Sequence, residues 1–174
     1  MTDWYFVSMN SYRHPRRSAH DDAIKTIRRA SREDAATVSA ITDAAYSKYI
    51  HRLGRRPEPM TVDYVEMISK HPVHLLLISD KPVGVLVLKH DDQTLIWSVA
   101  VHPDYQRRGL GLRLLEFAEQ EAYELGHKSI RLYTNSLFEE NIALYKWLGY
   151  METRREPFLG STLVHMAKNL ELTH

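Results

Sequence analysis

A chain of 174 residues without a single cysteine fits one domain with its own hydrophobic core, and it excludes disulfides, thiolate metal sites and every cysteine-nucleophile mechanism. Its 23 Lys and Arg balance 22 Asp and Glu for a formal charge of +1, so no global field draws it to nucleic acid or an anionic membrane, and any anion site must be local. Charges interrupt the 44% hydrophobic residues everywhere, and no run reaches the roughly 18 apolar residues of a membrane-spanning helix, which makes a soluble, cytoplasmic protein the expectation.

Residues 1–22 carry no helix or strand period and lack the apolar core and cleavage site of a signal peptide. They read as a flexible extension before a domain over 23–174, and their cluster Arg13, His14, Arg16 and Arg17 reads as a solvated basic tail. "IKTIRRA" predicts a first strand, and Ser31 with Asp34 has the spacing of a helix N-cap. Ala35, Val38, Ile41, Ala45 and Tyr49 then recur every three or four residues, the stripe of an amphipathic helix that should stop at Gly54. Pro57 and Pro59 make the next stretch a loop, before a short helix around Val62 to Ser69. "VHLLLIS", "VGVLVLK" and "TLIWSVAV" are joined by short turn-rich links, which predicts an antiparallel meander. A helix follows from about Arg108 to Leu125, stopped by Gly126, with Leu114, Ala118, Ala122 and Leu125 as its buried stripe. The strand "SIRLYT" beyond it should run parallel to "TLIWSVAV" through a right-handed crossover. "NSLFEENIALYKWLGY" predicts another helix, capped by Ser136 and Glu139 and ended by Gly149, and "METRRE" with "STLVHMAK" a closing hairpin around Pro157 to Gly160. The order β, α, α, β, β, β, α, β, α, β, β predicts an α+β (mixed α/β) fold around a mixed, mostly antiparallel sheet of about seven strands with four helices.

The segment "QRRGLGLRL" competes among three phosphate-binding signatures, and spacing decides. A dinucleotide fingerprint needs Gly or Ala three residues after Gly111, where Leu114 stands, and the P-loop string is absent. What remains is Gln106, two residues, Gly109, one residue, Gly111, between a strand and a helix. Two glycines can serve only to turn a chain. Yet Gly in a first helical turn costs about 1 kcal/mol relative to Ala, while it lets the backbone approach a bulky anion at the positive end of the helix dipole. With Arg107 and Arg108 alongside, the turn looks shaped for a pyrophosphate.

"SVAVHPDYQRRGLGLRLLEFAEQEAYELG" resembles the acetyl-CoA-binding motif of the GCN5-related N-acetyltransferase (GNAT) superfamily, and "ENIALYKWLGYMETRRE" its following motif. "AAYSKYIHRLGRRPEPM" looks like the first-helix region of a bacterial branch whose substrates are unassigned. The resemblance implies a three-layer fold, helices on both faces, splayed between the fourth and fifth strands, with acetyl-CoA as co-substrate. It implies that backbone groups of Val99, Ala100 and Val101 receive the pantetheine arm, with an N–H near Val99 polarising the thioester. The segment Gln106, Arg107, Arg108, Gly109, Leu110, Gly111 and Leu112 would seat the pyrophosphate, and Asn135 and Asn141 would bond the arm. Tyr145 would be the acid, since a phenol with an ordinary pKa of about 10 can protonate a leaving thiolate. The implied activity is acetyl transfer directly to a primary amine of a small molecule or peptide; the alternative is a CoA-binding regulatory module without turnover.

Many members of that superfamily carry a Glu on the strand before the Gly-rich turn, but here it reads Leu95, Ile96, Trp97, Ser98. The base is then a water relay or one of His51, Glu58, Asp63 and His165. The ten histidines are scattered without a convincing ligand spacing, His71 and His74 included, so no metal is expected. Ser98 and Ser136 lack the neighbouring base a nucleophile needs. Arg55 and Arg56 suit a carboxylate-bearing acceptor, whereas Glu58 and Asp63 suit a polyamine. No nucleic-acid or membrane partner is expected, and a homodimer is compatible with the pattern.

Overall fold

Turn chemistry and alternation assemble seven strands into one sheet in the computed structural model, which describes residues 25–170. The predicted extension, with Arg13, His14, Arg16 and Arg17, lies outside the described residues. In chain order the elements are β1 (Lys25–Arg29), α1 (Ala35–Tyr46), α2 (Ile50–Leu53), α3 (Tyr64–Lys70), β2 (Val73–Ile78), β3 (Lys81–His90), β4 (Thr94–Val101), α4 (Leu110–Glu124), β5 (Ser129–Asn135), α5 (Glu139–Trp147), β6 (Met151–Phe158) and β7 (Ser161–Asn169). The strand order is β1-β2-β3-β4-β5-β7-β6. Every pairing is antiparallel except β4 with β5. The predicted meander is β2 to β4.

Two hairpins close through paired residues of positive φ, Ser79 with Asp80 and Leu159 with Gly160, the combination whose twist matches that of the flanking strands. A 3-10 turn at Ser47–Tyr49 joins α1 to α2, so the two form one interrupted helix, and Gly54 ends it in the left-handed conformation. The expected N-cap at Ser31 begins a 3-10 turn, Arg32–Asp34, ahead of α1, where the Asp34 carboxylate accepts the Ser31 N–H at 2.8 Å.

The central strands β2 to β4 are buried on both faces, which explains their near-continuous apolar runs. Leu86, Leu88, Ile96, Val99 and Val101 pack under α4 and α5. Val85, Val87, Trp97 and Ala100 pack under α1 and α3. Gly84 makes the seat of α4 possible, because a Cβ there would stand 3.2 Å from both Leu114 Cδ1 and Leu76 Cβ. One residue of the predicted α4 stripe is corrected: Leu114, Ala118 and Ala122 are buried, but Leu125 is 54% exposed. It is the C-cap, past the last turn packed on the sheet, and Leu110 and Leu115 fill the stripe instead. Among the described residues no helix is long and apolar enough to cross a membrane.

The parallel pair sets up the site. Only Thr94, Leu95 and Ile96 of β4 pair with β5, opposite Ile130, Arg131 and Leu132. At that point the β3–β4 register slips, Val87 facing Ser98 and Leu88 facing Ile96, which leaves Trp97 as an extra residue in β4. Such a bulge bends its strand. Beyond it β4 stays with β3 as far as Val101, and β5 stays with β7 as far as Asn135. The sheet therefore opens as a V.

At the closed end, His74 Nε2 and His90 Nε2 each lie 3.1 Å from one oxygen of Glu121 on α4. Thr94 Oγ1 bridges His90 Nδ1 at 3.0 Å and His127 Nδ1 at 2.8 Å. Burial opposes the Glu121 charge, but the bonds from His74 and His90 outweigh it and hold the carboxyl below its ordinary range. A group whose folded pKa is depressed contributes stability above its unfolded pKa, about 4.3 for Glu, and loses it as pH falls through the folded value. Urea unfolding should therefore show the full stability difference between wild type and Glu121→Gln above about pH 5, and the difference should shrink as the pH falls through the lowered carboxyl value. Gly84→Val should cost about 1–3 kcal/mol in the same assay by overpacking against Leu114.

Candidate active site

Antiparallel alternation decides which backbone groups face the opening. His102 N–H bonds the Val83 carbonyl at 2.8 Å, so Ser98 and Ala100 turn their backbone groups to β3, and Val99 and Val101 turn theirs into the V. Two of these carbonyls are held from inside: Tyr46 Oη donates to Val99 O at 3.3 Å, and Gln106 Nε2 donates to Val101 O at 2.9 Å. Gln106 thus uses its side chain to shape the turn. Ala100 points its side chain into the α1 core.

The Gly-rich turn follows at the mouth of the V. Arg107 has φ 63° and Gly109 φ 71°, and α4 begins at Leu110 rather than near Arg108, because residues of positive φ cannot continue a right-handed helix. Gly109 is the N-cap, and the first helical bond runs from Arg113 N to Gly109 O at 3.1 Å. The N–H groups of Leu110, Gly111 and Leu112 point out of the N-terminal end of the helix, where the dipole favours an anion. A Cβ at Gly109 would meet nothing within 4 Å, so the turn leaves open space there. Arg108 is turned away from this space. Its Nη2 donates to Asp104 O at 3.1 Å and its guanidinium covers the Tyr105 ring at 5.2 Å.

From the other arm, α5 brings Tyr145 and Asn141, both buried, and Tyr145 shares the apolar cluster that contains Val99. The Tyr145 ring meets Tyr150 edge-on at 5.9 Å. The predicted Ser136–Glu139 capping box is corrected. Ser136 N–H bonds Thr162 O at 2.8 Å, which keeps it tied to β7, and Phe138 is the N-cap. Asn135 makes the turn instead, its Oδ1 accepting Leu137 N–H at 3.0 Å and its Nδ2 bonding Ser161 Oγ at 2.6 Å. Its side chain therefore braces β5 against β7.

Sequence reading missed Tyr46. From α1 it reaches across to β4, 3.0 Å from Ser98 Oγ. Burial pushes its pKa well above the ordinary phenol value, and the neighbouring Tyr145 phenol adds to the rise. The two tyrosines thus approach the same stretch of β4 from opposite faces of the sheet. Tyr46 also lines a cavity of about 50 Å³ on the α1 side, together with Trp97, Tyr133, Phe158 and, from the loop after α2, Arg55 and Glu58. Of the four candidate bases only Glu58 lines it. Asp63 caps α3 by accepting Val65 N–H at 2.8 Å, His165 Nε2 lies 2.8 Å from Glu156, and His51 is exposed on α2. Burial, reinforced by the nearby Glu58 charge, raises the Tyr133 pKa above that of an ordinary phenol. Among the described residues no group of three or more His, Asp and Glu side chains is arranged to hold a metal ion.

The family model of the acetyltransferase (GNAT) family matches residues 38–150, a span that includes the V, the Gly-rich turn and Tyr145. The chain belongs to this family. The [ribosomal protein bS18]-alanine N-acetyltransferase of Escherichia coli K12 is 39% identical over 61 residues, which span 35% of this chain and 41% of that relative's length. A GNAT N-acetyltransferase from Rhodopseudomonas palustris superposes with a TM-score of 0.71 at 20% identity, covering 83% of this chain and 94% of its own. The PaiA N-acetyltransferase from Thermoplasma acidophilum, solved with coenzyme A, gives 0.69 at 17% identity over 84% of this chain and 99% of its own. The left-handed N-cap of α4 gives a stability test. Gly109→Val should cost about 1–2 kcal/mol in urea unfolding from backbone strain alone, since no neighbour obstructs the side chain.

Proposed function

We propose that the protein is an acetyl-CoA-dependent N-acetyltransferase, carried by residues 23–174, that passes the acetyl group directly to a primary amine. The observation that carries this reading is the V itself: β4 backbone turned into an opening whose mouth is a Gly-capped helix N-terminus and whose sides hold Tyr145 and Tyr46. The open space at Gly109 and the outward N–H groups of α4 fit a pyrophosphate, and Val99 and Val101 offer strand-like pairing to an extended arm.

The Val99 N–H polarises the thioester carbonyl and stabilises the oxyanion that develops as the amine attacks, a fixed dipole that needs no reorganisation. The C–N bond forms and the C–S bond breaks, and Tyr145 gives its phenolic proton to the departing thiolate. Glu58, the carboxylate in the acceptor cavity, takes the amine proton through water. Support for an amine acceptor comes from the bacterial relative, whose name specifies an alanine of a ribosomal protein.

Thiol release from acetyl-CoA over a panel of primary amines tests the reading. Tyr145→Phe should lower kcat by about 10²-fold or more and leave CoA affinity, measured by calorimetry, near wild type. Wild type that binds CoA and releases no thiol with any amine would make the protein a CoA-binding module. An equally fast Tyr145→Phe would remove Tyr145 as the acid.

A further inference from the structure

Three arginines punctuate the loop and helix end that roof the acceptor cavity, and two of them are neutralised. Arg52 pairs with Glu140, and Arg56 pairs with Asp43 at 3.1 Å. Arg55 differs. Among the described residues no carboxylate pairs with it, its Nη1 reaches only the Arg56 carbonyl at a long 3.4 Å, and its Nε is buried without a hydrogen-bond partner. Its guanidinium lies over the Phe158 ring at 5.2 Å, and both residues line the cavity.

The loop that presents Arg55 is fixed in place. Tyr64 Oη donates to Pro59 O at 2.8 Å, Thr61 Oγ1 donates to Glu58 O at 2.8 Å, and Arg56 Nη2 donates to Met60 O at 3.0 Å. A buried N–H without an acceptor is destabilising, and a ligand oxygen placed there would relieve it. The planar guanidinium suits a two-oxygen anion bonded side by side through Nε and Nη, the geometry of a carboxylate. Phe158 packs against the guanidinium, whose Cζ lies 5.2 Å from the ring centre.

We infer that Arg55 determines acceptor specificity and that the acceptor is a small amine carrying a carboxylate, an amino-acid-like molecule. The inference rests on the acetyltransferase reading for the amine end and on Arg55 alone for the carboxylate end. Glu58 lines the same cavity and supplies the opposite charge, so a zwitterion fits, while a polyamine would bring a second cation to Arg55. The competing cues in the sequence separate in space: Arg56 is neutralised by Asp43 and Asp63 caps α3.

Matched pairs test this, each standard amino acid against its carboxamide. Calorimetric titration into the CoA-loaded protein and thiol release are both read for wild type, Arg55→Met and Arg55→Lys. At least one acid should bind about ten- to a hundredfold more tightly than its amide. Arg55→Met should lose that discrimination through KM, with kcat and CoA affinity retained, and Arg55→Lys should restore part of it. Equal binding of acids and amides, absence of acid binding, or discrimination that survives Arg55→Met would overturn the inference. If amines without a carboxylate turn over as well as the acids do, the acetyltransferase reading stands and this one falls. If acids bind through Arg55 while no amine releases thiol, this one stands and that reading falls.

Discussion

The parallel pairing of β4 with β5 stops after three residue pairs, and the site depends on that stop. A parallel ladder continued to the strand ends would bond Val99 and Val101 to β5 and leave no opening. The separation is local. The bulge at Trp97 bends β4 at the last paired residue, while β3 and β7 hold the diverging arms along their length. Backbone geometry, rather than an unusual side chain, thus creates the opening.

The helices are placed to use that opening. Gly84 lets α4 lie close to β3, and Glu121 anchors the far part of α4 to His74 and His90. With its remote half fixed, α4 presents its N-terminus at the mouth. The left-handed conformations of Arg107 and Gly109 allow the chain to enter the helix there. Strain of this kind clusters where backbone must approach a ligand.

The fold was legible where a local rule operates. Periodicity located α1 and α4, short links located the meander, Gly54 and Gly126 marked helix ends, and Gly109 and Gly111 marked the turn that leads into α4. The same local rules failed where tertiary bonds override them. Ser136 has the sequence of a cap but is tied to β7 through its N–H, and Leu125 continues a stripe that the helix itself does not. Tyr46 lies one residue beyond the Ala45 of the α1 stripe and acquires its role only because β4 passes beneath it. The cavity on the α1 side is built from segments that meet only in three dimensions. Arg55 and Arg56 are indistinguishable as neighbours in the chain, and only the fold gives Asp43 to one and the cavity to the other.

In the proposed reaction the slot between β4 and β5 would be a doorway through a wall. The sheet separates two apolar cores, and at the slot Tyr46 from one side and Tyr145 from the other reach the same strand. A donor seated at the α4 end and an acceptor entering beneath α1 would approach from opposite faces and meet without displacing one another. Both substrates can then be resident at once, each product can leave by the door its precursor used, and initial-rate plots for the two substrates should intersect rather than run parallel.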